Sequence, residues 1–398
     1  MKLQRGNGFY IWTRIMALMF ASLFLSSCVH DTDDENEITP KQNAVKENTQ
    51  IRTVVLHGAQ QVPGIETNAA GFGSFEVDTV DHTITGTVYF TGITTSAAHI
   101  HTGAAGASGG PVITLIVDND SHKATVPEGS TLTHQQLEDF LAGNHYVNLH
   151  SSSYSSGEIR GQIGRVVMTA SLDGDQQVPV VATGASGTAL IAIDPEALDI
   201  TGGANFSGVT ATSAHIHNGA KGDNGSVVTV LNVNNTTGIA SVNDGVTLTR
   251  AQYDNLRAGK LYFNIHSDAN TGGEIRGQIG PVVVLAQLSG DQLVSPVTTN
   301  ATGRAVFVVN PVTLVITGGV SFEGVNATAA HIHTGASGTN GGVAVALTVD
   351  SNNNTAVVPD NTVLTQAQFD DLVAGNTYAL IHSTTYAAGE IRGQLSLQ

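Results

Sequence analysis

Tyr146-Val147-Asn148-Leu149-His150, with Gly86-Thr87-Val88-Tyr89-Phe90 and Val112-Ile113-Thr114-Leu115-Ile116-Val117 before it, sets the texture of the chain. These runs are short, rich in β-branched and aromatic residues, and bounded by Gly, Asn and Asp clusters, so they read as strands closed by turns. The same writing recurs. His99-Ile100-His101 returns as His215-Ile216-His217 and His331-Ile332-His333, at a constant offset of 116 positions. Gly157-Glu158-Ile159-Arg160-Gly161-Gln162 has copies beginning at Gly273 and Gly389 with the same offset. A repeat that long is a self-contained domain rather than a solenoid unit. The units run 51–165, 166–281 and 282–398, and their junctions leave almost no linker, which predicts domains packed end to end.

One short helix interrupts each unit. Thr133 is its N-cap and Gln136, three residues on, completes a capping box. Leu137, Phe140 and Leu141 share one face, and Ala142-Gly143 is the stop. Thr249/Gln252 with Gly259, and Thr365/Gln368 with Gly375, repeat the device. The expected fold is all-β: three tandem antiparallel, Greek-key-like sandwich or barrel domains, each with one short helix.

Composition narrows the function. With 41% hydrophobic and only 12% charged residues, the chain can build real cores. An excess of 33 acidic over 16 basic residues argues against nucleic acid as a partner. The single cysteine excludes a disulfide framework and any Cys-based zinc site. Lys2, Arg5 and Arg14 precede an apolar run, Ile15 to Leu25, too short to span a bilayer. Its ending, Leu25-Ser26-Ser27-Cys28, resembles the lipobox of bacterial lipoproteins. That resemblance implies a signal peptide over 1–27, lipidation of Cys28 and a membrane anchor there, followed by an acidic flexible tether over 28–50. Val29 is not the Asp that retains many lipoproteins in the inner membrane. Asp31, Asp33, Asp34, Glu35 and Glu37 resemble the surface-export signal of Bacteroidota lipoproteins. The expectation is an outer-membrane lipoprotein exposed at the surface of a Gram-negative, Bacteroidota-like cell.

The three copies act as an internal comparison for the histidines. His57, His82, His122, His134 and His145 become Asp173, Leu198, Gly238, Arg250 and Leu261 in the second unit. His99, His101 and His150 are retained in every copy, as His215, His217, His266 and His331, His333, His382. His99 and His101 point to one face of a strand. A symmetric hairpin would set His150 against Glu158 and Asn148 against Arg160. If the His-x-His strand neighbours that hairpin, each unit gathers three imidazoles, with Glu158, Glu274 or Glu390 as a further ligand or as an orienting group. Three imidazoles with an open fourth position suit Zn, Cu or Fe. A hydrogen-bonded histidine cluster bracing the Gly-rich loop that follows (Gly103 to Gly109) is the alternative. The Gly-x-x-Gly-x-x-Gly loops lack the context of a phosphate cradle and read as tight turns. Arg160, Arg276 and Arg392 read as ion-pair or backbone braces, with a ligand-carboxylate clamp as the other reading.

Ala98-His99-Ile100-His101-Thr102-Gly103-Ala104, Leu141-Ala142-Gly143, Tyr146 to His150 and Gly157 to Gln162 together resemble the chordin-type (CHRD) domain, three times over. The third copy departs at Leu380, where the others carry Asn148 and Asn264. The resemblance implies an extracellular β-rich module and assigns no reaction. The function expected is a lipid-anchored binding or structural module that meets a surface glycan or protein and holds Zn or Cu in its histidine clusters. A metal-dependent surface enzyme is the alternative. No catalytic residue is nominated.

Overall fold

The computed structural model describes residues 48–398; the stretch read as a signal peptide (1–27), Cys28 and most of the stretch read as a tether (28–50) lie outside the described residues. The first strand begins at Thr49, so the end of the stretch read as tether belongs to the first domain.

That domain contains β1 (Thr49–His57), β2 (Ala70–Asp78), β3 (Ile84–Thr91), β4 (Thr95–Thr102), β5 (Pro111–Thr114), β6 (Ile116–Asp118), β7 (Lys123–Thr125), α1 (His134–Leu141), β8 (His145–Ser151) and β9 (Ile159–Gln162). Its strands pair antiparallel in the order β5-β4-β8-β9-β1-β2-β3-β7-β6. Because β5 and β6 are two parts of one bent strand, the sheet curls into a barrel. The β3-β7-β6/β5-β4 segment is a Greek key, since three consecutive strands return beside the one before them.

The second domain repeats this with β10 (Val166–Leu172), β11 (Ser186–Ile193), β12 (Ile200–Ser207), β13 (Ser213–Asn218), β14 (Ser226–Asn234), β15 (Ile239–Val242), α2 (Arg250–Arg257), β16 (Leu261–His266) and β17 (Ile275–Gln278). The third contains β18 (Val282–Ser289), β19 (Thr302–Val309), β20 (Ile316–Glu323), β21 (Ala327–Thr334), β22 (Val343–Asp350), β23 (Thr355–Val357), α3 (Gln366–Val373), β24 (Thr377–Ser383) and β25 (Ile391–Gln394). Equivalent pairs draw each barrel shut: His57 with Arg160, Asp173 with Arg276, and Ser289 with Arg392.

Alternation along the strands decides what is inside. Ile100, Val147, Leu149 and Ile159 are fully buried in the first core, and each barrel has its own core of this kind. The helices form as the capping boxes predict, with side-chain and backbone bonds exchanged between Thr133 and Gln136, Thr249 and Gln252, and Thr365 and Gln368. Their buried residues, such as Leu137 and Phe140, plug the barrel wall. Among the described residues no helix is long and apolar enough to cross a membrane.

The first and third barrels, which are not neighbours in the chain, also meet. Val55, Ala70 and Phe72 of the first barrel meet Val283, Leu285, Val306 and Val308 of the third in a separate apolar cluster. Arg304 lies over the Tyr89 ring and Lys123 pairs with Glu323 at 2.6 Å along the same seam. Outward apolar residues on these strands make a side-by-side contact favourable, so the ends of the repeat array touch each other.

Candidate metal centre

Strand β4 lies directly beside β8, in the register His99↔Asn148 and His101↔Tyr146, with Ala97 opposite His150. The neighbouring pair β8–β9 sets Asn148 against Arg160. The outward face of this three-stranded patch therefore carries His99, His101, Tyr146, Asn148, His150 and Arg160. A β-bulge between Ile100 and His101, repeated at Ile216/His217 and Ile332/His333, bends the strand at the second histidine. Bulges increase local twist and re-aim side chains, and here the bulge falls at the histidine whose ring leans on the tyrosine.

One ligand nitrogen from each of His99, His101 and His150 lies within 4.8 Å of the others. The same holds for His215, His217, His266 and for His331, His333, His382. Hydrogen bonding fixes which nitrogens hold lone pairs. Nδ1 of His101 is 3.0 Å from the Gly109 carbonyl oxygen, which can only accept, so Nδ1 carries the hydrogen. His217 to Gly225 at 2.9 Å and His333 to Gly341 at 3.0 Å are identical in kind. His150 donates from Nδ1 to Ser155 O at 2.9 Å, as His266 does to Thr271 O and His382 to Ala387 O, each at 3.0 Å. In every barrel the Nε2 of these two histidines therefore holds the lone pair. The third histidine, His99, has Nδ1 3.2 Å from Nε2 of His150 and donates to it; the other copies measure 3.0 and 3.1 Å. Nε2 of His101, His217 and His333 is buried and has no partner. A buried orphan acceptor costs free energy unless a ligand takes it up.

Burial is the main force lowering the pKa of His99 and His101 and of their copies His215, His217, His331 and His333. The neighbouring imidazoles lower them further, and Arg160 and its copies add to this at the second histidine. The downward shift of these six rings favours the neutral form, which is the one that binds a metal.

Behind the imidazoles stands a rigid polar frame. The Tyr146 ring stacks on His101 (centroids 5.0 Å apart, 9° between planes) and also carries the Arg160 guanidinium at 3.5 Å. Arg160 donates to Ala104 O and to Gln162 Oε1. Gln162 donates to the Gly103 and Gly143 carbonyls, each at 2.8 Å. The Gly-rich loop is the tight turn expected, with Gly106 at φ +78° and its copies at +86° and +75°. It folds back so closely that a Cβ at Gly225 would lie 1.4 Å from the Asn218 carbonyl oxygen. The arginines are therefore backbone braces: no ion pair joins Arg160 to Glu158 among the described residues.

The carboxylates take another role. Glu158 accepts from Thr67 at 2.6 Å, Glu274 from Thr183 and Glu390 from Thr299, and none belongs to the converging ligand groups. Hydrogen bonds from Ser267, Thr183 and Asn270 hold the Glu274 carboxyl below the ordinary range. Asn148 accepts from Gln61 at 2.7 Å, as Asn264 does from Gln177. The departure at Leu380 has its explanation here, because Leu293 stands where the glutamines do and both leucines lie against Gly389. An amide pair has been exchanged for an apolar pair. Sequence reasoning assigned no role to Tyr146, Gln162 or Gln61, although the first two recur at the same offset as the histidines. The histidines found only in the first unit stay outside the three-imidazole group.

No curated protein matches the chain. The CHRD domain model matches residues 52–163, 168–279 and 284–395, the bounds of the three barrels to within a few residues. A chain matched over most of its length in this way belongs to the CHRD family, and it carries three CHRD domains in tandem.

Proposed function

We propose that this protein is a lipid-anchored, extracellular binding module whose three histidine clusters each hold a transition-metal ion. The observation that carries the reading is the orphaned, buried Nε2 of His101, His217 and His333, beside a second Nε2 whose tautomer is fixed by a carbonyl. Metal-binding histidines have their other ring nitrogen tied in this manner. Three neutral imidazoles and no carboxylate suit Zn or Cu, and the ion would offer a Lewis-acid position for an external ligand such as a glycan hydroxyl or a partner's side chain. His99 enters the set by giving up its bond to His150 and taking the other tautomer. The frame of Tyr146, Arg160 and Gln162 holds the loop that orients His101, which limits the rearrangement on binding.

The anchor rests on Cys28 and the apolar run before it, and surface exposure on the acidic residues behind it. Cys28→Ser should abolish incorporation of labelled palmitate and move the chain out of the membrane fraction; unchanged labelling would reject the anchor. Protease treatment of intact cells tests exposure. Metal content is tested by plasma mass spectrometry on the purified chain, beside a His101→Ala/His217→Ala/His333→Ala variant. About three equivalents per chain, one for each closed set of imidazoles, should be present or restored on refilling and lost in the variant. No metal before or after refilling with Zn, Cu and Fe would overturn the reading.

A further inference from the structure

Each site has one strand neighbour whose register places it between two of its three histidines. Asn148 faces His99 across the β4–β8 ladder and precedes His150 by two residues on the same face. Asn264 stands likewise between His215 and His266, and Leu380 between His331 and His382. In the first two barrels this neighbour is an amide held by two bonds, from Gln61 or Gln177 at 2.7 Å and to Ser156 O at 3.1 Å or Gly272 O at 3.2 Å. In the third, both members of the pair are leucine, and Leu380 is only 5% exposed.

We infer that this neighbour sets the charge class of ion each site accepts: the first two sites take divalent ions, and the third selects a monovalent one, cuprous copper. The inference rests on the metal reading above and deepens it.

The argument is electrostatic. Three neutral imidazoles bring no negative charge, and Glu390, bonded to Thr299, is not among the converging ligand groups, so no ligand neutralises the ion. The cost of holding an ion in a less polar surrounding grows with the square of its charge. Replacing two amides by hydrocarbon beside two of the three ligands therefore penalises a dication far more than a monocation. The ligands themselves do not change, since the His331–His382 distance of 3.1 Å and the His333 tie to Gly341 at 3.0 Å match the other barrels. Imidazole ligands serve cuprous copper as well as zinc, so a difference in preference falls to the neighbour.

The test uses the full chain with two sites removed at a time by His→Ala at His101, His217 or His333, leaving one site in each of three variants. Zn²⁺ affinity, and Cu⁺ affinity under anaerobic reducing conditions, are measured by competition with chromophoric chelators. The preference for Cu⁺ over Zn²⁺ should be about tenfold greater at the third site than at the other two. The paired exchange Leu293→Gln with Leu380→Asn should bring the third site back to the others. The reverse exchange, Gln61→Leu with Asn148→Leu, should raise the Cu⁺ preference of the first, and it decides the matter if the former variant does not fold. Equal preferences at all three sites, or a preference untouched by an exchange that folds, would overturn the inference while leaving metal binding standing. Absence of both ions from every site would instead overturn the metal reading, and this inference with it.

Discussion

Replacing Arg276 by methionine removes the brace of the second Gly-rich loop while keeping most of its volume. The side chain is 1% exposed. It donates to Asp223 O at 2.9 Å, Ala220 O at 2.8 Å and Gln278 Oε1 at 3.0 Å, and its guanidinium lies 3.6 Å from the centre of the Tyr262 ring. Hydrogen bonds from a charged donor contribute about 1.5–3 kcal/mol each and a desolvated cation–π contact about 2 kcal/mol, for a gross of about 6–11 kcal/mol. Burial opposes the charge, as the lowered pKa of Arg276 reflects, and removing the guanidinium returns that penalty of several kcal/mol. The net loss should be about 2–4 kcal/mol, near the upper range for single substitutions. For a domain of this size that lowers the melting temperature by roughly 8–16 °C. Differential scanning calorimetry of the full chain reads it, and Arg160→Met and Arg392→Met identify the transitions of the other barrels. Arg276→Lys should recover less than half, because an ammonium cannot reach three acceptors from one plane. A shift of under about 3 °C for methionine, or full recovery by lysine, would refute the bracing argument.

His57, buried in the first barrel, has its pKa lowered to about 4 by desolvation. A depressed folded-state pKa means that stability present above the unfolded value of about 6.5 is lost as pH falls toward 4. Between neutrality and pH 5 this should cost about 2 kcal/mol, visible as an acid-dependent urea midpoint that His57→Ser flattens. Gly225→Ala should force the loop off the strand end and cost more than about 3 kcal/mol, because its Cβ would meet the backbone oxygen of Asn218; a melting temperature like that of wild type would show that the loop can yield. Thr249→Ala takes away the side-chain oxygen that accepts from Gln252 N and should cost about 1 kcal/mol, measured in the same urea experiment.

Much of the architecture was legible because its signals are local. The capping boxes at Thr133, Thr249 and Thr365 need only residues three apart, and the structure contains all three. The retained histidines stood out from the others because three copies of one domain share a chain. The departure at Leu380 has no local explanation, because Leu293, which lies with it against Gly389, is far away in the sequence. The seam between the first and third barrels left no sign either: Val55 and Val306 look like ordinary strand valines until the outer faces are known.

The chain's order of residues settles the number of domains, their strand and helix content, and the polar face on which each histidine stands. These follow from backbone propensity, side-chain alternation and local capping. The meeting of His99 with His150, the bulge at His101, the carbonyls that choose each tautomer and the closure of every barrel arise from strand order and register. Pairing partners are selected by the packing of a whole core, so no short stretch can encode them. In this protein that long-range choice turns scattered histidines into three clusters.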